Sequence, residues 1–210
     1  LILTAQNTGM GLFTQNDGTV ELTYGWGGDY TQNKGTLTTA GTNVTMGGNG
    51  TNSVFKGIIN PNGAGNIGTL VIDGSVEFDN TRYIVSLQGT STSDLVDIKD
   101  SNFDITGLRT LDIGLWSEGD YKILVSASDI TGLNTNNVAI LINGGAISNN
   151  RIQTDLGFNN TTNELWLTTA VNGGNLEVIW DKPMQNWNTS DSNWTNEQVV
   201  FAPGDYAKFL

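Results

Sequence analysis

Thr19-Val20-Glu21-Leu22-Thr23 alternates polar and apolar side chains with a period of two. So do Asn43-Val44-Thr45-Met46, Ser75-Val76-Glu77-Phe78 and Thr110-Leu111-Asp112-Ile113. A period of two puts successive side chains on opposite faces of an extended strand. Further runs follow at Tyr121-Lys122-Ile123-Leu124-Val125, Val138-Ala139-Ile140-Leu141-Ile142, Glu164-Leu165-Trp166-Leu167 and Leu176-Glu177-Val178-Ile179. Between the runs sit turn-forming groups such as Gly47-Gly48-Asn49-Gly50, Asn60-Pro61-Asn62-Gly63 and Asn143-Gly144-Gly145. No window carries a helical period, and Asp129-Ile130-Thr131-Gly132-Leu133 has room for a single helical turn only.

The composition agrees with an all-β chain of many short strands. Charged residues make up 14% of the 210, against roughly 25% in ordinary globular proteins. The polar surface therefore falls to Asn, Thr, Ser and the 27 glycines. The 37% hydrophobic content argues against disorder. A net charge of −12, with nine scattered basic residues, disfavours nucleic acid and anionic membrane surfaces. Cys and His are both absent, which removes disulfides, thiol nucleophiles, the commonest general base and the commonest metal ligands. No apolar run is long enough to span a membrane as a helix. The pattern is already under way at Leu1-Ile2-Leu3 and still running at Phe209-Leu210, so the chain reads as a piece of something longer.

Short strands with irregular loops and few two-residue hairpin signals favour a solenoid over a sandwich or barrel. The expected fold is a single-stranded right-handed parallel β-helix. With roughly twenty residues per coil, stacked at about 4.8 Å, the chain would form about ten coils over about 50 Å. Leu70, Ile72, Leu95, Ile98, Ile123 and Leu124 are the expected members of the inward ladders. Gly-Thr-Leu recurs at Gly35-Thr36-Leu37 and Gly68-Thr69-Leu70, without an exact sequence repeat.

An ordered set of short words adds a resemblance. It begins at Gly28-Asp29-Tyr30-Thr31-Gln32-Asn33-Lys34-Gly35-Thr36-Leu37 and continues with Gly65-Asn66-Ile67-Gly68-Thr69-Leu70-Val71-Ile72-Asp73-Gly74. Ser93-Asp94-Leu95-Val96-Asp97-Ile98 comes next, then Gly119-Asp120-Tyr121-Lys122-Ile123-Leu124-Val125, then Ile130-Thr131-Gly132. The series resembles the passenger-associated transport repeat of autotransporters. Trp187-Asn188 followed by Pro203-Gly204-Asp205-Tyr206-Ala207-Lys208-Phe209 is similar to the opening of an autotransporter-associated β-strand repeat. The resemblance covers roughly residues 27–135 and 180–210. It implies a β-helical passenger segment over 1–180 and the start of a following repeat over 181–210, continuous with the same solenoid.

Candidate sites are few. Asp94, Asp97 and Asp100 lie close in sequence, but positions three apart on a strand face opposite ways, so they read as solvated face and turn residues. Glu77 and Asp79 share a face without a nearby Arg or His in sequence. Gly47-Gly48-Asn49-Gly50-Thr51-Asn52 is a degenerate, single copy of a calcium-binding nonapeptide and reads as a turn. Among Trp26, Trp116, Trp166, Trp180, Trp187 and Trp194, the pair Trp187 and Trp194 is the best candidate for ligand contact; the competing reading is that the tryptophans close coil ends against the core.

The expectation is a non-catalytic stalk with no cofactor and no metal, serving display and export of an adhesin or virulence factor. The resemblance places it at the cell surface or secreted, behind an outer-membrane β-barrel translocator of the same polypeptide. The alternative is an adhesin surface that binds a host receptor or glycan, or that self-associates. A polysaccharide-cleaving β-helix enzyme is the least favoured reading.

Overall fold

The computed structural model describes residues 1–3, 11–40, 43–63, 65–128, 130, 132–147, 151–173, 177–180 and 206–209. The chain is all-β and winds as a parallel β-solenoid. Its early strands are β1 (Ile2–Leu3), β2 (Leu12–Gln15), β3 (Thr19–Leu22), β4 (Gly25–Trp26), β5 (Asp29–Gln32), β6 (Thr36–Thr39) and β7 (Asn43–Phe55). The middle is β8 (Ile58–Asn60), β9 (Thr69–Phe78), β10 (Thr81–Gln88), β11 (Thr92–Ser93), β12 (Leu95–Ile98), β13 (Phe103–Asp104), β14 (Leu108–Leu115) and β15 (Gly119–Ser126). Then come a single 3-10 turn at Thr135–Asn137, β16 (Ala139–Ile142), β17 (Gly145–Ala146), β18 (Ile152–Asn159), β19 (Glu164–Val171), β20 (Glu177–Trp180) and β21 (Tyr206–Phe209).

The strands stack into two long sheets. One runs β1-β3-β6-β8-β10-β14-β16 in parallel, and the other runs β2-β5-β7-β9-β12-β15 in parallel. The chain alternates between them, so each coil adds a rung to both. Inward side chains then fall into register as ladders. Val20, Leu37, Ile59, Tyr83 and Leu111 form one, all buried. Val44, Leu70, Val96 and Leu124 form another, also buried. Phe13, Tyr30, Phe55 and Phe78 form a third column, with successive ring centroids 5.5–5.8 Å apart.

Coils start a little shorter than the expected twenty residues and lengthen well past it along the axis. Gln15 stacks on Gln32, a step of 17, whereas Ile113 stacks on Ile142, a step of 29. The expected ten coils are therefore not formed. The extra residues extend the strands and corners: β5 has four residues, and β9 has ten.

One expected ladder member needs correction. Leu95 faces outward and is half-buried, while Val96 takes the inward place. Strand parity is the cause, because Ile98 points inward and a residue three positions earlier cannot. Ile123 and Leu124 are adjacent yet both buried. A bulge between Lys122 and Leu124 breaks the alternation and turns both inward.

Parallel stacking also stops before residue 180. Asn143 and Gly144, with φ of 50° and 77°, form a two-residue hairpin that folds β17 back on β16. β18 and β19 form an antiparallel hairpin, and β19 lies antiparallel on β15. Polar contacts fasten this cap. Lys122 pairs with Glu164 at 3.1 Å, and the Thr168 hydroxyl donates to Asp120 at 2.7 Å. Buried Asp112 pairs with Arg82 and accepts from the Gly144 amide at 2.9 Å. Beyond the cap, β20 and β21 pair in parallel with each other. The helical turn falls at Thr135–Asn137, a few residues past the expected place, capped by the Asn134 carboxamide.

Corners impose the tightest sequence demand. A Cβ on Gly35 would lie 2.1 Å from the Gly18 carbonyl oxygen, and one on Gly57 would lie 2.5 Å from that of Gly35. The Gln15 side chain donates to the Gly18 and Thr36 carbonyls at 2.8 and 3.2 Å. One coil on, Gln32 donates to Gly35 and Ile58 at 3.2 and 3.1 Å.

Gly35→Ala is expected to destabilise the protein by about 2–3 kcal/mol, because it adds a backbone overlap to a left-handed φ of +88°. Gly65→Ala, with φ of +78° and open space around it, should cost about 1 kcal/mol. Leu70→Ala should cost about 2–5 kcal/mol and Leu95→Ala well under half of that. Urea midpoints of the four variants check the corner and the strand parity together.

Candidate functional site

Two places on the solenoid gather polar side chains. The first is buried. Asp94 is 0% exposed. Its two carboxylate oxygens accept from the Gly68 and Ser86 amides, each at 2.7 Å. It thus joins the start of β9 and the end of β10 to the entry of β12. No cation pairs with it among the described residues. Burial outweighs the two amide bonds and pushes its carboxyl up from 3.8 to about 7.

The carboxylates near it in sequence do not join it. Asp97 pairs with Lys99 at 2.6 Å on the outer face, and Asp100 accepts from the Asn102 amide at 2.8 Å in a local turn. The expectation that all three are solvated fails for Asp94; Asp97 on the outer face and Asp100 in its turn are half-buried. A residue preceding the strand still follows its alternation, and Asp94 lies four before inward Ile98.

The second place is on the outside, where β7, β9 and β13 cross. Ser53, Val76 and Phe103 are in register, and so are Val54, Glu77 and Asp104. Asn52 stacks on Ser75. The flanking residues form two outward walls around an open cavity of about 230 Å³. One wall is Asn52, Ser75 and Asn102; the other is Val54, Glu77 and Asp104. The Asn102 carboxamide donates to Ser75 Oγ at 2.8 Å. Asp104 accepts from the Thr106 amide at 2.8 Å and its hydroxyl at 2.6 Å, which holds its carboxyl below the usual range.

Glu77 and Asp79 do not act together. Asp79 is bound to Lys56 at 2.9 Å, and the in-register neighbour of Glu77 is Asp104, 27 residues on. The sequence holds a faint signal for this: Asn52-Ser53-Val54-Phe55, Ser75-Val76-Glu77-Phe78 and Asn102-Phe103-Asp104-Ile105 share one outward-inward pattern. Coil length varies, so the pattern has no fixed period.

The glycine-rich stretch at Gly47–Asn52 is a wide bulge in β7 opposite Gly74. Thr51 Oγ1 both donates to the Gly48 carbonyl and accepts from its amide, at 2.7 and 2.8 Å. Among the described residues, no three carboxylates converge as a metal site would require. Trp26 donates to the Asp29 carbonyl at 3.0 Å and meets the Phe13 ring edge-on. Trp166 donates to Glu164 at 3.0 Å, and Trp116 packs on the core. Trp187 and Trp194 lie outside the described residues.

Comparison with protein-family models, with curated proteins and with solved structures returns no match.

The buried carboxyl gives a signed pH dependence. Asp94 binds its proton more tightly folded than unfolded, so its contribution to stability falls as pH rises from about 4 to about 7. The full span is about 4 kcal/mol. Asp94→Asn should flatten this part of the profile. At pH 4 it should be less stable than the wild type by about 1–3 kcal/mol, since one amide loses its acceptor. Urea titrations of both proteins at pH 4, 5.5 and 7 measure the difference; parallel profiles would mean that Asp94 stays ionised throughout.

Proposed function

We propose that this chain is a non-catalytic β-solenoid stalk from the passenger of an autotransporter-like surface protein of Gram-negative type. It would serve export and display, with an outer-membrane β-barrel as its translocator.

The observation that carries this reading is where the resembling words fall. Gly68 of the Gly-x-Ile-Gly-Thr-Leu word donates its amide to Asp94 of the Ser-Asp-Leu-Val word at 2.7 Å. Leu70 of the first word stacks on Val96 of the second, and Val96 stacks on Leu124 of the Gly-x-Tyr-x-Ile-Leu word. Gly119 of that word leaves no room for a Cβ, which would sit 2.2 Å from the Thr90 carbonyl oxygen. The Tyr121 hydroxyl, two residues on, lies 2.5 and 2.8 Å from the Gly89 and Glu118 carbonyl oxygens, which share its one proton. The words are thus made of residues that fasten one coil to the next. Such a repeat serves folding along an axis, where each coil templates its neighbour. A chain of that kind suits export, because coils can be added in sequence as they emerge.

The test is display. Fused between a signal peptide and an autotransporter barrel, the chain should reach the surface of a Gram-negative cell as a protease-resistant folded segment. Val96→Asp places an unpaired charge in the ladder and should lower displayed folded protein at least tenfold. Retention of the wild-type segment in the periplasm behind an inserted barrel would overturn the reading.

A further inference from the structure

We propose that the open groove crossing β7, β9 and β13 binds a neutral, hydroxyl-rich saccharide, so that the stalk also carries a glycan-binding site. The proposal goes beyond display, and neither depends on the other.

The groove is assembled by register. Each of three coils contributes two outward side chains flanking one inward residue: Asn52 and Val54, Ser75 and Glu77, Asn102 and Asp104. The peptide backbone between them is the floor. Glu77 and Asp104 are directly opposed like charges, an arrangement that destabilises a sheet. Lys56, bound to Asp79, offsets the Glu77 charge only at a distance, and among the described residues neither carboxylate forms an ion pair. Both carboxylates are exposed.

Donor and acceptor capacity selects the ligand. The carboxylate wall only accepts. Asp104 spends one oxygen on Thr106 and keeps the other for a ligand. The opposite wall does both. Among the described residues, the Asn52 carboxamide has no hydrogen-bond partner, the Ser75 hydroxyl keeps its proton to give, and the Asn102 carboxamide oxygen remains free to accept. A guanidinium or ammonium group has donors only and would leave the Asn52 and Ser75 donors without acceptors. A sulfated or carboxylated glycan would meet Glu77, Asp104 and the chain's net charge of −12. Sugar hydroxyls donate and accept together, and they suit both walls. Val54 supplies an apolar contact for the C–H face of a ring, and about 230 Å³ is small beside the roughly 300–1,000 Å³ of drug-sized pockets, in keeping with a single sugar unit. Asp104, held ionised by Thr106, is an acceptor and not a proton donor, so the groove is suited to binding a glycan and not to acid-assisted cleavage.

The experiment is a titration of the ¹⁵N-labelled chain with glucose, galactose, mannose and N-acetylglucosamine and their short oligomers, in EDTA. Heparin and calcium chloride are run as separate arms. At least one neutral sugar should shift the Asn52 and Asn102 carboxamide signals saturably, with Kd on the order of 1 mM or tighter. Glu77→Ala/Asp104→Ala should weaken that binding at least tenfold without lowering the urea midpoint, and Asn52→Ala should weaken it independently. Silence from every neutral sugar, or shifts produced only by heparin or only by calcium, would overturn the proposal. The double variant should still be displayed on cells, so failure of the groove and failure of the stalk are read separately.

Discussion

Each coil is fastened to the next by backbone hydrogen bonds that run along the axis, and the rest of the structure accommodates them. Within strands the bonds follow from parallel pairing. At the corners they survive only where two backbones approach without a side chain between them. The Thr36 amide reaches the Gly18 carbonyl at 2.8 Å, Ile58 reaches Gly35 at 2.8 Å, and Arg82 reaches Gly57 at 3.0 Å. Glycine stands at Gly35 and Gly57 for that reason, whereas Gly18 has open space around it and is held to glycine by its left-handed φ of +77°. Gly107 repeats the constraint elsewhere, since a Cβ there would fall 1.9 Å from the Phe78 carbonyl oxygen.

Polar groups are buried where the axial bonding leaves backbone groups to satisfy. Gln15 and Gln32 serve carbonyls with neutral amides. The Thr81 hydroxyl donates to the Phe55 carbonyl at 2.5 Å. Asp94 serves the opposite need, the Gly68 and Ser86 amides, and a carboxylate has an oxygen to offer each of them. The result is an acid without a counter-ion in the interior, bearing a desolvation penalty that two hydrogen bonds only partly offset.

Alternation gives the solenoid two surfaces at once. The inward half of each strand is committed to the ladders and leaves little freedom. The outward half is free of packing demands, so columns of Asn, Ser, Thr and carboxylates can carry recognition without disturbing the fold. The antiparallel cap at β16–β19 ends the parallel stacking by pairing the last rungs with hairpins, and the Gly144–Asp112 and Glu164–Lys122 contacts tie it to the coils beneath.

The sequence by itself determined the strand class, the near absence of helix and most inward residues, because a period of two is a local property of the chain. Leu70, Ile72, Ile98 and Leu124 were legible on those terms. So were the turns at Gly47–Gly50 and Asn143–Gly145, whose residues tolerate the backbone conformations required. Leu95 was misread through strand parity, and the bulge at Ile123 leaves no local mark. Register lay beyond reach: coil steps range from 17 to 29 residues, so no fixed spacing reveals that Glu77 meets Asp104 or that Gly68 meets Asp94. Those meetings depend on how much chain each corner consumes. Only the folded stack sums those lengths, and so only the tertiary structure decided the buried carboxylate, the outer groove and the hairpin cap.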